Sequence, residues 1–308
     1  MREAAATSST AVAAELPVLF ILGAPRSGTS LLYRTLSLHP DAAWINNYWR
    51  RAPAVPVLGL LNRVASRTPS LRHRVWFGEA GDNAYRYDTR RTLLERLYPQ
   101  PVEGEPVFER RDVLLDRPGR APDARQLRLA DDLSRFRRAA GGKVLVSKRI
   151  GHNRRIGLLQ GIFPTARFVV MTRDGRAAAR SMLKVDWWTD SDIWWAGCTP
   201  REWVADGGDE VELAARHWVH EVEAIESGLA GIAADHVHYL TYESLVAAPA
   251  ESLGAVADFA GLGDPPEWRA ALSRVSFPDH NRMGREPSSD REIEVFQADA
   301  LKRWGYLT

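Results

Sequence analysis

Pro17-Val18-Leu19-Phe20-Ile21-Leu22-Gly23-Ala24-Pro25-Arg26-Ser27-Gly28-Thr29-Ser30-Leu31-Leu32 is the stretch that decides the fold. A short apolar run rich in β-formers stops at Gly23, passes a Gly/Pro/Ser turn and resumes as Leu31-Leu32-Tyr33-Arg34-Thr35-Leu36. That order predicts a buried strand, a tight loop and a helix. The spacing Gly23-x4-Gly28-Thr29-Ser30 fits a phosphate-binding loop, with Thr29 where the usual lysine stands and a cation, Arg26, inside the loop. Glycines let the backbone wrap an anion, and the amides of a helix start point at it with the dipole behind them. A Walker-type loop uses its lysine on the β- and γ-phosphates, so its absence disfavours ATP-type phosphoryl transfer. The bland alternative is a glycine-rich turn without a ligand.

At Pro25-Arg26-Ser27-Gly28-Thr29-Ser30 the chain resembles the PAPS-dependent sulfotransferases, in the branch of tyrosylprotein and bacterial sulfotransferases. In that family this loop holds the 5′-phosphosulfate. The resemblance therefore implies that Arg26, Ser27, Gly28, Thr29 and Ser30 bind the cofactor.

Composition narrows the field further. The chain has 308 residues, 45% hydrophobic content and a formal net charge of +2, enough for a substantial core and too balanced for a general polyanion binder. No nucleic-acid partner is expected. The single cysteine, Cys198, excludes an intrachain disulfide and suits a reducing compartment. The apolar run Leu16 to Leu22 is too short to span a bilayer and leads straight into the loop. Residues 1–15 are expected to form a flexible tail ahead of one domain, 16–308, and a soluble, cytoplasmic, bacterial enzyme is favoured.

Beyond the His39-Pro40-Asp41 turn, residues 42–78 contain six arginines, at positions 50, 51, 63, 67, 72 and 74, and no carboxylate. Val57, Leu58, Leu60, Leu61 and Val64 recur there at helical spacing. A cap helix with a solvated basic face is one reading; a cover receiving an anionic or amphiphilic acceptor is the other. Residues 79–142 are charged and proline-punctuated, with helices expected near 88–98 and 123–139. Strands are expected at Lys143–Ser147, Arg167–Thr172 and His236–Thr241, with helices near 153–162, after the Arg173-Asp174-Gly175 turn through Ser181, over 209–232 and over 250–261. This alternation predicts a mainly parallel sheet with right-handed crossovers. Trp187, Trp188, Trp194, Trp195 and Trp203 crowd residues 187–203, either as a loop packed on the core or as an aromatic wall over an acceptor. The tail from 276 onward reads as polar.

Arg173 closes a predicted strand, and Ser181 lies eight residues on, about two helical turns later. Both can reach a phosphate across the strand ends, where open α/β sheets place ligands. The Arg-x7-Ser spacing resembles the family's 3′-phosphate site. The resemblance also places Tyr242 near the adenine, and Lys148 near the transferring group as a catalytic residue. Arg282 and Arg285 are candidates to close the cofactor site. Many relatives carry a glutamate about twenty residues after the loop arginine, where this chain has Asn46-Asn47. His152 is the first candidate for the base, since imidazole titrates near neutrality, and Glu79 the second.

The expected architecture is thus a P-loop-like three-layer α/β fold with helical acceptor-side insertions. The expected reaction moves the sulfuryl group from PAPS to a hydroxyl or amine of a small-molecule, glycan or lipid acceptor, releases PAP and needs no metal. Peripheral membrane contact is compatible with the sequence, and acceptor and oligomeric state are open. The rival readings are a P-loop nucleotide or small-molecule kinase and a non-catalytic nucleotide-binding protein.

Overall fold

The structure, a computed structural model, describes residues 16–78, 92–115, 120–281 and 287–307. The tail 1–15, Glu79, Arg282 and Arg285 lie outside the described residues.

Five strands form a parallel sheet: β1 (Val18–Leu22), β2 (Ala42–Trp44), β3 (Val144–Lys148), β4 (Arg167–Thr172) and β5 (Val237–Thr241). Their order is β2-β3-β1-β4-β5, with Phe20 opposite both Ser147 and Phe168 in the register. Strands covered on both faces read as continuous apolar runs, and here the alternation divides two cores. Val18, Phe20 and Leu22 join Leu145, Phe168 and Val170 on one side. Leu19 and Ile21 join Val146, Val169 and Met171 on the other. From central β1 the chain leaves toward β2 and β3 on one side and later fills β4 and β5 on the other. The crevice beyond the carboxyl end of β1 is therefore the switch point at which such sheets take ligands.

Two elements differ from expectation. Residues 42–78 begin with the edge strand β2, whose three residues are all buried; the helices Leu60–Arg67 and Pro69–Phe77 follow. The polar C-terminal region contains the helix Pro287–Arg303, which packs on the helices Gly175–Met182 and Glu210–Leu229. Ile293 and Leu301 are fully buried there. Gln297 donates to the carbonyls of Gly175 and Ala215, each at 3.2 Å. Few apolar residues anchor this helix, so its hydrophobic period is weak and a buried amide supplies part of the fit.

Candidate functional site

The turn after β1 is built from unusual backbone. Gly23 has φ +151°, and a Cβ there would lie 2.5 Å from the Met171 carbonyl oxygen. Gly28, at φ +90°, caps the Thr29–Leu36 helix; a Cβ would sit 2.8 Å from the Tyr242 ring. Arg26 itself adopts φ +68°, a conformation that costs a side-chain-bearing residue energy and collects at functional sites. That twist lets Arg26 Nε donate to Ser181 Oγ at 2.9 Å. Arg173 Nη1 donates to the Arg26 carbonyl at 2.7 Å, and its guanidinium lies 4.4 Å from the Tyr242 ring centre. The two motifs, 147 residues apart in sequence, are bonded to each other.

A cavity of about 1050 Å³ opens at this junction. Arg26, Gly28, Thr29, Ser30, Lys148, Arg173, Ser181 and Tyr242 all line it. Among the described residues, seven lysine and arginine side chains face it against three carboxylates, Glu103, Asp192 and Glu221. This local excess suits a ligand carrying several negative charges, although the whole chain is nearly neutral. The amides that open the Thr29–Leu36 helix have no side-chain cap and no acidic residue in the first turn, which leaves that helix start to an external anion. Ser27 stands apart. Its amide is spent on the Ala24 carbonyl, and its hydroxyl is buried away from the cavity without a protein partner.

His152 does not reach the cavity, which corrects the first expectation for the base. Its side chain is 0% exposed, between the rings of Phe20 at 5.1 Å and Phe108 at 4.9 Å. Arg155 Nε donates to Nδ1 at 3.0 Å, so Nε2 carries the proton toward Ser147 Oγ, also at 3.0 Å. Burial, reinforced by the charges of Arg155, Arg149 and Lys148, holds the imidazole well below its usual range. A neutral ring with both nitrogens engaged and no path to substrate is a core group.

Asn46 and Asn47, where relatives carry glutamate, serve the backbone. Asn46 Oδ1 accepts from Trp49 N at 2.8 Å as the cap of the Asn47–Arg51 helix, and Asn47 Oδ1 accepts from Gln100 N at 3.1 Å. Because Asn47 N also bonds the Gln100 carbonyl and Val102 N the Ile45 carbonyl, residues 100–102 run antiparallel beside 45–47. The next residue, Glu103, thereby enters the cavity and pairs with buried Lys148. Its other oxygen accepts from Arg149 Nη1 at 2.6 Å. Burial alone would raise the carboxyl, but these two cations outweigh it and hold it at about 2.

Two further groups carry no signal in the sequence. Asn153, next to the favoured His152, accepts from Gly23 N at 3.1 Å and donates to Gly23 O at 3.0 Å. The same amide donates to Glu221 Oε2 at 2.6 Å. Glu221, buried in the cavity wall and raised by that burial, also accepts from the Trp194 indole at 2.9 Å. Trp187, Trp188 and Trp194 line the cavity, while Trp188 also packs into a core with Met182, Leu213 and Ile293. Trp195 donates to His217 Nδ1 at 3.2 Å. The tryptophan segment is thus wall on one side and core on the other.

Comparison with known proteins gives the same direction. The model described as "Sulfotransferase family" matches residues 17–266. The chain is 24% identical to the protein-tyrosine sulfotransferase of Drosophila melanogaster over 94% of its own length and 47% of that protein's. It is 23% identical to protein-tyrosine sulfotransferase 2 of Gallus gallus over 94% of its length and 63% of the relative's. The chain therefore spans between about half and two-thirds of these curated relatives. Among solved structures, a sulfotransferase from Mycobacterium avium superposes with a TM-score of 0.58 at 16% identity, covering 96% of this chain and 79% of that one. One from Mycobacterium tuberculosis gives 0.57, also at 16% identity, covering 96% and 80%. At such identity the likeness is one of fold, and it fits the parallel sheet described above.

Proposed function

Because the chain belongs to the sulfotransferase family, whose general reaction is sulfuryl transfer from PAPS, we propose that it moves that group to a hydroxyl or amine of a small-molecule, glycan or lipid acceptor and releases PAP. One observation carries the reading: the loop after β1 and the Arg173–Ser181 pair are bonded together at the mouth of one cation-rich cavity. Arg173 and Ser181 would hold the 3′-phosphate, the amides of Gly28 to Ser30 the 5′-phosphate, and Tyr242 the adenine side. Residues 16–308 act as one sulfotransferase-like domain in this proposal. A reducing, cytoplasmic setting is supported by the lone Cys198; among the described residues no helix is long and apolar enough to cross a membrane.

Glu103 is the base in this proposal. It takes the acceptor's proton as the acceptor atom bonds to sulfur and the bridging sulfur–oxygen bond breaks. Arg26, Lys148 and the loop amides hold the charge that gathers on the departing phosphate oxygen, the kind of preorganised stabilisation that dominates many active sites. A carboxylate paired as tightly as Glu103 is a weak base, so Lys148 must turn from it toward the bound anion before proton transfer.

Thermal shift with PAP, ATP plus Mg²⁺ and GTP tests the cofactor, since a ligand at a hundred times its Kd stabilises by about 2.7 kcal/mol. Stabilisation by PAP is expected; stabilisation by ATP with Mg²⁺ alone would favour a kinase. A screen of acceptors with labelled PAPS then tests turnover, and PAP binding without any turnover would favour a non-catalytic binder.

A further inference from the structure

Among the described residues, four exposed aliphatic side chains cluster at Val55, the 3₁₀ turn Pro56–Gly59 and the helix Leu60–Arg67. Val55 is 41% exposed, Val57 57%, Leu60 49% and Val64 46%. At 100° per residue, Leu60, Val64, Arg63 and Arg67 fall within one arc of about 100°, and all four are exposed. The opposite side is fully engaged. Asn62 donates to the Trp44 carbonyl and accepts from Asn46, each at 2.8 Å. Gly59 approaches the neighbouring helix so closely that a Cβ would meet the Phe136 carbonyl oxygen at 2.4 Å. The segment is pinned with its valines and leucine outward; it is not a loose loop.

Charge identifies the occupant. Arg50 and Arg51 are exposed on the Asn47–Arg51 helix that packs against the 3₁₀ turn. No carboxylate occurs anywhere in 42–78. Among the described residues, Glu95 shares a groove with Arg50 and Arg51. We propose that this face docks on an anionic lipid surface, with Val57, Leu60 and Val64 entering the headgroup–acyl boundary and Arg50, Arg51, Arg63 and Arg67 meeting lipid phosphates. Aliphatic side chains flanked by arginines suit that boundary. A second copy would set arginine against arginine, and a few side chains fall short of the roughly 800 Å² per partner of a stable interface. Among the described residues, the face also lacks the exposed Tyr or Trp that anchor protein interfaces. The inference stands independently of the sulfuryl-transfer reading.

Sedimentation of the full chain with phosphatidylglycerol-containing and pure phosphatidylcholine vesicles tests it. Each arginine near an anionic surface is worth about fivefold in partition, so Arg63→Gln with Arg67→Gln should weaken binding about 25-fold. Leu60→Ser with Val64→Ser should weaken it about tenfold through lost apolar insertion. All four residues are exposed, and Arg63 Nη2 also donates to the Arg138 carbonyl at 3.2 Å; an unchanged thermal midpoint therefore checks the fold, and binding by the wild type should fall as salt screens it. Equal binding to neutral vesicles, or wild-type binding by folded variants, would overturn the proposal. So would self-association that these variants abolish while vesicles are ignored, because it would assign the face to a second copy.

Discussion

Glu103→Gln separates catalysis from folding at one position. It preserves shape while removing the charge that pairs with Lys148 and Arg149. The Glu103 carboxyl, raised by burial but lowered further by those two cations, stands at about 2 against an ordinary 4.5. That depression corresponds to roughly 3 kcal/mol, which screening at a side chain 27% exposed reduces to about 2 kcal/mol. A depressed carboxyl contributes fully above its unfolded value near 4.5, and the contribution disappears as pH falls toward 2. Urea unfolding should therefore show the variant about 2 kcal/mol less stable at pH 7, with the gap closing through that acidic window.

The catalytic consequence has a different signature. Loss of a positioned base should lower kcat by roughly 10²–10⁴-fold on any acceptor the wild type uses. PAP should bind no more weakly, because a negative charge leaves a cavity built for anions. If Lys148 must release Glu103 before turnover, the acidic limb of wild-type kcat should lie above the value of the resting carboxyl. Turnover at the wild-type rate by a folded Glu103→Gln protein would refute the base assignment, and weakened PAP binding would make Glu103 a positioning group for Lys148.

Arg173→Ala should cost PAP about tenfold or more in affinity, since charge-assisted bonds are worth roughly 1.5–3 kcal/mol; unchanged titration calorimetry would remove Arg173 from the site. His152→Ala should lose roughly 2–4 kcal/mol of stability through a cavity and two broken bonds, while the kcat–pH profile keeps its shape. Disappearance of an ionisation near neutrality would restore His152 as the base. His217 is held at about 3 by burial and His152 well below its usual range. Both stabilise fully above about pH 6.5, and that contribution is lost as pH falls, at roughly 2 kcal/mol for His217 between pH 7.5 and 5 and in the same direction for His152. Glu221, raised by burial, works in the opposite direction. Equal urea midpoints at pH 7.5 and 5 would show that these rings are not buried neutral.

What the sequence revealed, and what it hid, follows from distance along the chain. The loop Gly23–Ser30 and the Arg173-x7-Ser181 spacing are local patterns, so their place at strand ends could be read directly. The strand Arg167–Thr172 matches its expected bounds because both faces are buried and its apolar run is continuous. Lys148 ends β3 for the same reason. Glu103 had no such signal. It reaches Lys148 only because residues 100–102 pair with 45–47, a contact across more than fifty residues in a proline-rich stretch without periodicity. For His152, residue type alone does not reveal its partners. Imidazole suits a base, but Arg155 and Ser147 occupy both nitrogens, and the neighbour Asn153 is the residue that touches the loop.

That neighbour also explains how the two walls of the cavity are held at a fixed separation. Asn153 can satisfy its three bonds in one orientation: its oxygen takes the Gly23 N–H, and its two N–H groups go to the Gly23 carbonyl and to Glu221. A flipped amide would set donor against donor. Glu221 is thereby fixed as acceptor, and its remaining oxygen receives the Trp194 indole. An unbroken chain of bonds runs from the end of β1 to the tryptophan segment, buried where an unpaired polar group would be costly. Displacing Trp194 would strand a bond of Glu221, and displacing Glu221 would strand a bond of the Asn153 amide that fixes Gly23. The tryptophan segment and the loop after β1 therefore cannot drift apart separately, and the in-line transfer proposed above would depend on keeping that separation to within a fraction of an ångström.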